Sequence, residues 1–300
     1  MIVSLQRTLR QWSRTLIQHF PGLLRFRGIG LGRLLTAGVS TEQMLMDGDI
    51  RVEIDLRYTS CRAIYFVCDP TSAAETILSK RLLQSSDTFV DVGANFGYFT
   101  LIGAKYAGRV FAFEPSPATY AHLQRNLHLN PALAAKVTSA MKGLAGQPGE
   151  MRLYRPTHNP GTASLQPLSG PDVVTEIVQI DTLDRLLRQQ PVHFIKIDVE
   201  GAELDVLQGA RSILHNQRPL ILVELFEPHQ QRFGRSCQRI VDFLETYDYE
   251  GRWIRQDQDS LEVRLAPLNL KQLIAARSIE NALFIPRERA AAVPKVYPYR

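Results

Sequence analysis

Three carboxylates fall within six residues of one another at the end of an apolar run, Phe194-Ile195-Lys196-Ile197-Asp198-Val199-Glu200-Gly201-Ala202-Glu203. Like charges crowded into a solvent-excluded cleft repel one another, and a bound cation relieves the repulsion. Glu203 has a second reading, as an acid in the first turn of a helix whose dipole it complements. A hundred residues upstream stands Thr88-Phe89-Val90-Asp91-Val92-Gly93-Ala94-Asn95-Phe96-Gly97-Tyr98-Phe99-Thr100, an apolar strand that enters glycines and then a helix. Gly93 and Gly97 allow a backbone to approach a ligand with no Cβ in between. Seventeen residues past Gly97, the strand Arg109-Val110-Phe111-Ala112-Phe113 ends in Glu114-Pro115. An acid at that strand tip is placed to accept hydrogen bonds from both hydroxyls of a ribose.

Two cofactor classes fit a glycine loop followed by an acid-tipped strand: nicotinamide dinucleotides and S-adenosylmethionine. Pyrophosphate binding favours G-x-G-x-x-G with bare amides facing two negative charges. Here an aspartate stands two residues ahead of the first glycine and the third glycine is missing. Asp91 repels a pyrophosphate and attracts an ammonium, which favours S-adenosylmethionine. The expected donor site is Asp91, Gly93, Ala94, Asn95, Gly97, Glu114, Pro115 and Asp198.

Methyl transfer to a hydroxyl requires that the acceptor lose a proton, so a base or a metal belongs near the methyl. Asp198, Glu200 and His229 are the candidate catalytic residues. His229 closes the run Glu224-Leu225-Phe226-Glu227-Pro228-His229, at the carboxyl end of the apolar segment 220–225, and its near-neutral pKa is its intrinsic argument. A lone histidine after a proline also reads as a surface residue. Glu224 and Glu227 share that edge and are expected to bind acceptor hydroxyls or, with Asp198, a divalent metal such as magnesium, although the spacing does not require one. The Gly/Pro-rich stretch 146–171 contains Thr157-His158-Asn159-Pro160-Gly161-Thr162-Ala163-Ser164-Leu165, which either closes over the cleft and contacts the acceptor or is a surface excursion.

The elements that position these groups follow from periodicity. Strand 89–92, helix 97–106, strand 110–113 and helix 117–129 alternate, and the rhythm resumes with strand 193–197, helix 204–216 and strand 220–225. That alternation predicts an α/β fold, a mostly parallel sheet with helices on both faces. A final helix, 237–246, precedes strands near Trp253, at 261–265 and at 282–285. Ahead of the core, alternation at Ile50, Val52, Ile54 and Leu56, then at Ala63, Tyr65 and Val67, predicts an antiparallel hairpin over 49–68. Residues 2–20 put Ile2, Leu5, Leu9, Trp12, Leu16 and Phe20 on one helical face and Arg7, Arg10 and Arg14 on the other. Such a helix either packs on the neighbouring domain or lies on an anionic membrane. The glycines at 28–32 follow no strand and read as a flexible connection. The predicted division is a basic extension (1–48), a catalytic domain (49–286, with its cofactor-binding core at 80–230) and a flexible tail (287–300).

Composition narrows the classes further. The net charge is +5, yet residues 1–35 hold six arginines and no acid, leaving 29 basic against 30 acidic residues elsewhere. A broad nucleic-acid surface on the folded domain is therefore not expected. Three cysteines, Cys61, Cys68 and Cys237, match neither a disulfide framework nor a zinc knuckle, which suits a reducing compartment. No window holds the 18 or so apolar residues of a membrane span. The expected location is cytoplasmic, with peripheral membrane contact through residues 2–20 as an option.

Asp91-Val92-Gly93-Ala94-Asn95-Phe96-Gly97, Phe113-Glu114-Pro115, Asn126 before Leu129-Asn130, and Ile195 through Glu203 together resemble the FkbM-type family of S-adenosylmethionine-dependent methyltransferases. Thr182-Leu183-Asp184 and Val206-Leu207-Gln208-Gly209-Ala210 also fit its pattern. The resemblance spans roughly residues 87–227. It implies a class I methyltransferase (Rossmann-like) fold, a seven-stranded sheet whose last strand is antiparallel, and transfer most often to a hydroxyl of a sugar, glycan or natural product. The chain departs from the pattern in the third strand, 137–143, where Met141-Lys142-Gly143 stands. The rivals are a nicotinamide-dependent oxidoreductase and a non-catalytic scaffold that docks by its basic N-terminal helix.

Overall fold

The computed structural model describes residues 40–66, 73–257, 260–276 and 279–298. The predicted helix 2–20, the glycines at 28–32 and Val67 lie outside them. The described chain opens with a hairpin, β1 (Thr41–Met46) and β2 (Ile50–Asp55), paired from Thr41↔Asp55 to Met46↔Ile50. Its turn carries Asp47 and Gly48 at φ of 46° and 86°, and this Asp-Gly pair is the hairpin signal that the reading over 49–68 passed over. The second expected strand is instead helix α1 (Thr59–Phe66). Cys61 and Tyr65 are both buried four residues apart, and the Arg62 guanidinium donates to the carbonyls of Leu56 and Arg57. Helical spacing and those two hydrogen bonds overrule the short alternation.

Helix α2 (Ala74–Leu82) leads into β3 (Thr88–Val92), α3 (Tyr98–Tyr106), β4 (Arg109–Phe113), α4 (Pro117–His128), the short α5 (Pro131–Ala134) and β5 (Val137–Ala140). The Gly/Pro-rich stretch is ordered rather than a simple interruption. The strands β6 (Gly143–Leu144), β7 (Gly149–Pro156) and β8 (Val173–Asp181) form a separate sheet in the order β6-β8-β7 over Ala145, Leu153, Val178 and Ile180. Then follow α6 (Leu183–Leu186), β9 (Phe194–Ile197), α7 (Glu203–Gln208), α8 (Arg211–Asn216), β10 (Leu220–Leu225), α9 (Glu227–Arg232) and α10 (Cys237–Glu245). The single helix expected over 204–216 is thus two. The chain ends in β11 (Tyr249–Gln256), β12 (Val263–Pro267), α11 (Leu270–Ala276), β13 (Glu280–Pro286) and β14 (Val296–Tyr297).

The main sheet has nine strands, ordered β14-β12-β11-β13-β10-β9-β3-β4-β5. Neighbours from β5 through β10 are parallel, and β13 runs antiparallel between β10 and β11. That run from β5 to β11 is the class I methyltransferase sheet of seven strands with its last strand reversed. The two further strands, β12 and β14, extend one edge. Tail residues expected to fray supply β14, because Tyr297 buries its ring against the sheet and Arg81 donates to the Pro298 carbonyl. One face of the sheet packs on α6, α7, α8 and α10, the other on α2 and α3. Among the described residues no helix is long and apolar enough to cross a membrane.

The hairpin is fixed to the core by side-chain amides that imitate a strand. Asn130 accepts from the Arg51 N–H at 2.9 Å and donates to the Arg51 carbonyl at 2.6 Å. Asn126 accepts from the Glu53 N–H at 2.7 Å and donates to the Phe96 carbonyl at 2.8 Å. The free edge of β2 is thereby paired, and the same asparagine ties it to the glycine loop.

Candidate active site

A cavity of roughly 300 Å³ lies at the carboxyl ends of β3, β4, β9 and β10, where parallel sheets bind their ligands. Its lining includes Asp91, Gly93, Ala94, Asn95, Glu114, Pro115, Asp198, Glu200 and Glu224. Gly97, Glu227 and His229 are not part of that lining. Gly97 starts α3 at φ 95° and packs against Leu123, so it shapes the loop from behind.

The β3 end is held mainly by backbone. The N–H groups of Gly93 and Ala94 both donate to the Phe113 carbonyl at 3.0 Å, fixing the loop to β4. Gly93 sits at φ 83°, and a Cβ there would lie 1.9 Å from the Asp198 carbonyl oxygen, so only glycine fits. The Asp91 side chain is fully buried; its Oδ2 accepts from the Thr100 hydroxyl at 2.6 Å while Oδ1 has no hydrogen-bond partner. Glu114 accepts one backbone N–H on each oxygen, from Asn95 and from Ser116, both at 3.0 Å. Burial pushes its carboxyl up to about 7 against the pull of those two donors.

The crowded acids of the 194–203 stretch are relieved from within the chain, and not only by a ligand cation as expected. Lys196, whose Cα registers with Asp91 across β3, donates to Asp198 at 2.9 Å and sits 4.5 Å over the Phe99 ring. Burial works to lower the Lys196 ammonium, but Asp198 and Asp91 outweigh it and hold it above its ordinary range. The sequence reading gave Lys196 no role. The period-two alternation of β9 sets Lys196 on the face opposite Ile195 and Ile197, but only its pairing with Asp91 on β3 shows what it does there. Glu203 is buried and accepts the N–H groups of Val199 and Gly201 at 3.2 and 3.1 Å, which makes it a loop anchor as well as a first-turn acid.

Three chain-distant elements meet at the other end. Glu200 follows β9, Glu224 closes β10 and His229 lies on α9. The His229 Nε2 stands 3.2 Å from Glu200 Oε2 and its Nδ1 3.4 Å from Glu224 Oε2, contacts that lack hydrogen-bond alignment. Burial, with Arg232 nearby, lowers the imidazole to about 4. Burial, with Asp198 and Glu203, lifts the Glu200 carboxyl to about 8, and Glu224 is raised well above the usual range by burial and then Asp198 and Glu200. Near neutrality burial thus favours an uncharged imidazole and a protonated Glu200, and pushes Glu224 the same way. His229 is half-buried behind two carboxyls that line the cavity, rather than a surface residue.

Glu227 is elsewhere. Its Oε2 accepts the Cys237 N–H at 2.9 Å and so satisfies a free donor at the start of α10. In the structure it joins two helices, and it stands outside the cavity lining where acceptor or metal binding was expected. Among the described residues no group of three or more His, Cys, Asp or Glu side chains is arranged to hold a metal ion. From the other side, the 3-10 turn Pro160–Thr162 lines the cavity, with Gly161 against the Asn95 amide and the Ser164 hydroxyl donating to the Glu200 carbonyl at 3.4 Å.

Residues 91–250 match the family described as the Methyltransferase FkbM domain. Methyltransferase sdnD of Sordaria araneosa is 31% identical over 179 residues, 49% of this chain and 69% of that protein. Methyltransferase 1 of Beauveria bassiana is 34% identical over 147 residues, 41% of this chain and 58% of that protein. Hexuronic acid methyltransferase AglP of Haloferax volcanii is 28% identical over 142 residues, 47% of this chain and 57% of that protein. The match thus spans less than two thirds of the latter two. Among solved structures, the crystal structure of Methyltransferase FkbM from Methylobacillus flagellatus KT aligns at a TM-score of 0.43 and 18% identity, over 75% of this chain and 54% of that chain.

Proposed function

The chain belongs to the FkbM methyltransferase family, and from that premise we propose that it moves a methyl group from S-adenosylmethionine to a hydroxyl of a sugar, glycan or natural-product acceptor. The bound donor supplies an electrophilic methyl on a sulfonium. The residues present suit that donor: Asp91 offers a buried oxygen without a partner, next to Asp198, to an ammonium. Glu114, clamped by two N–H groups, keeps a free lone pair on each oxygen for ribose hydroxyls. Gly93, Ala94, Asn95 and Pro115 form the wall.

The observation that carries the hydroxyl reading is the uncharged His229 between Glu200 and Glu224. The hydroxyl's proton passes through the Glu200 carboxyl, which lines the cavity and gives its own proton to the neutral imidazole behind it; a charged ring could not take part. The protonated carboxyls of Glu200 and Glu224 donate hydrogen bonds to acceptor oxygens without adding charge. A relative named for a hexuronic acid supports acceptors of the sugar kind.

Calorimetry against S-adenosylmethionine and NAD, followed by labelled-methyl transfer into a fractionated cell extract, tests the proposal. We expect binding of the first ligand alone, and in His229→Ala a fall in transfer of about 10²–10⁴-fold with donor affinity unchanged. NAD binding, or transfer undiminished in the variant, overturns the reading. Binding of neither ligand favours the scaffold.

A further inference from the structure

We infer that Gln230 is a positioning residue of this site: from the buried side of α9 it fixes the Glu200–Gly201 turn and so sets where the Glu200 carboxyl stands against the neighbouring His229 ring. The inference rests on the proposed role of His229 as proton acceptor, and the turn itself carries it. Glu200 and Gly201 sit at φ of 57° and 113°. A glutamate in that region persists only where its surroundings over-determine it.

The surroundings do so atom by atom. Gln230 is completely buried. Its amide N–H groups donate to the Gly201 carbonyl at 3.2 Å and to Glu203 Oε2 at 2.5 Å, and its Oε1 accepts from Arg235 Nε at 3.1 Å. Arg235 in turn donates to the Gly201 carbonyl at 2.9 Å and makes a two-pronged ion pair with Asp205 at 3.0 and 2.7 Å. Phe233 closes the remaining space, since a Cβ on Gly201 would lie 2.6 Å from its ring. Nothing in this clamp touches the cavity. Yet Gln230 adjoins His229 on one short helix, so the amide that grips the turn and the ring that meets it move as one body.

The groups facing His229 are Glu200 and Asp198 from the end of β9, Glu224 from β10, Arg232 from its own helix and the ring of Phe226 just ahead of that helix. The test titrates the His229 ring by NMR in the full-length protein, its signal identified by its loss in His229→Ala, and needs no acceptor. In the wild type we expect half-protonation at about 4. In Gln230→Met, which keeps the bulk and removes the clamp, the midpoint should rise by about one pH unit or more as water reaches the ring. Affinity for S-adenosylmethionine should stay as in the wild type. An unmoved midpoint in folded Gln230→Met overturns the inference, as does a wild-type midpoint in the ordinary histidine range. Should that variant not fold, Arg235→Gln removes only the outer half of the clamp and is read the same way, with a smaller rise expected. A shifted midpoint beside undiminished transfer in His229→Ala would uphold the clamp and sink the proton-acceptor role.

Discussion

The two ends of the cavity solve the same problem, holding a carboxyl mostly out of water, by different means. At the β4 end Glu114 is buried but receives two backbone N–H groups, and its carboxyl rises to about 7. At the β9 end the half-buried Glu200 receives no backbone donor and faces His229 at 3.2 Å and Arg232 at 4.0 Å, and it rises to about 8. Backbone donors fix an acid in place and favour its charge; side chains set against side chains leave it protonated. The donor end is thus a rigid cradle, whereas the acceptor end is a cluster whose charge state depends on burial.

The largest effect is expected where the cradle has no slack. Gly93→Ala adds a Cβ at 1.9 Å from a backbone oxygen on a residue at φ 83°. Backbone strain of about 1–2 kcal/mol and overpacking of about 1–3 kcal/mol together should cost about 4 kcal/mol in chemical unfolding and abolish donor binding. A variant that binds S-adenosylmethionine normally would break the picture of a rigid donor end. Lys196→Met comes next. It strands Asp91 in the interior beside a partly exposed Asp198 and should cost about 3 kcal/mol, the low end for breaking a buried pair. The loss should shrink at low pH as the buried Asp91, whose carboxyl burial already pushes up, protonates, which unfolding at two pH values would check.

The same contrast explains what the sequence disclosed. Asp91, Gly93, Glu114 and Asp198 were legible because strand, loop and helix follow one another within a few residues, so spacing alone places them at one sheet edge. The parallel order of the central strands was legible for the same reason. The Glu200–His229–Glu224 cluster depends on how α9 turns back over two strand ends, and no local period encodes that. Lys196 was hidden by its strand, since a buried lysine is readable only once its acidic neighbours on β3 and beyond are known. The shifted hairpin and the docked tail have different causes. The hairpin carried a local signal in its Asp47-Gly48 turn, whereas the tail's pairing is settled by a distant partner, β12.

A smaller effect sharpens the acceptor end. Glu200 titrates at about 8 in the fold against an ordinary value of 4.5. Between those values the native state holds a proton that the unfolded chain has lost, so wild-type stability falls as pH rises through the window. The amide introduced by Glu200→Gln has no such proton to lose in either state. That variant should therefore gain on the wild type from pH 5 to pH 9, by on the order of 4 kcal/mol. Parallel melting curves would instead mean that Glu200 is ionised throughout, which would remove the uncharged cluster.

The smallest effect concerns a residue the sequence placed at the acceptor and the structure places between helices. Glu227 gives its Oε2 to the Cys237 N–H, one of the donors that a helix start leaves unpaired. Glu227→Ala should therefore cost about 1 kcal/mol of stability, the usual loss for an uncapped start. Donor affinity and transfer rate should not change, because no atom of Glu227 lines the cavity. The measurement has to read both quantities. A stability unchanged by the substitution, together with a raised acceptor KM, would return Glu227 to the binding surface and show that α9 brings an acid as well as a histidine to the acceptor end.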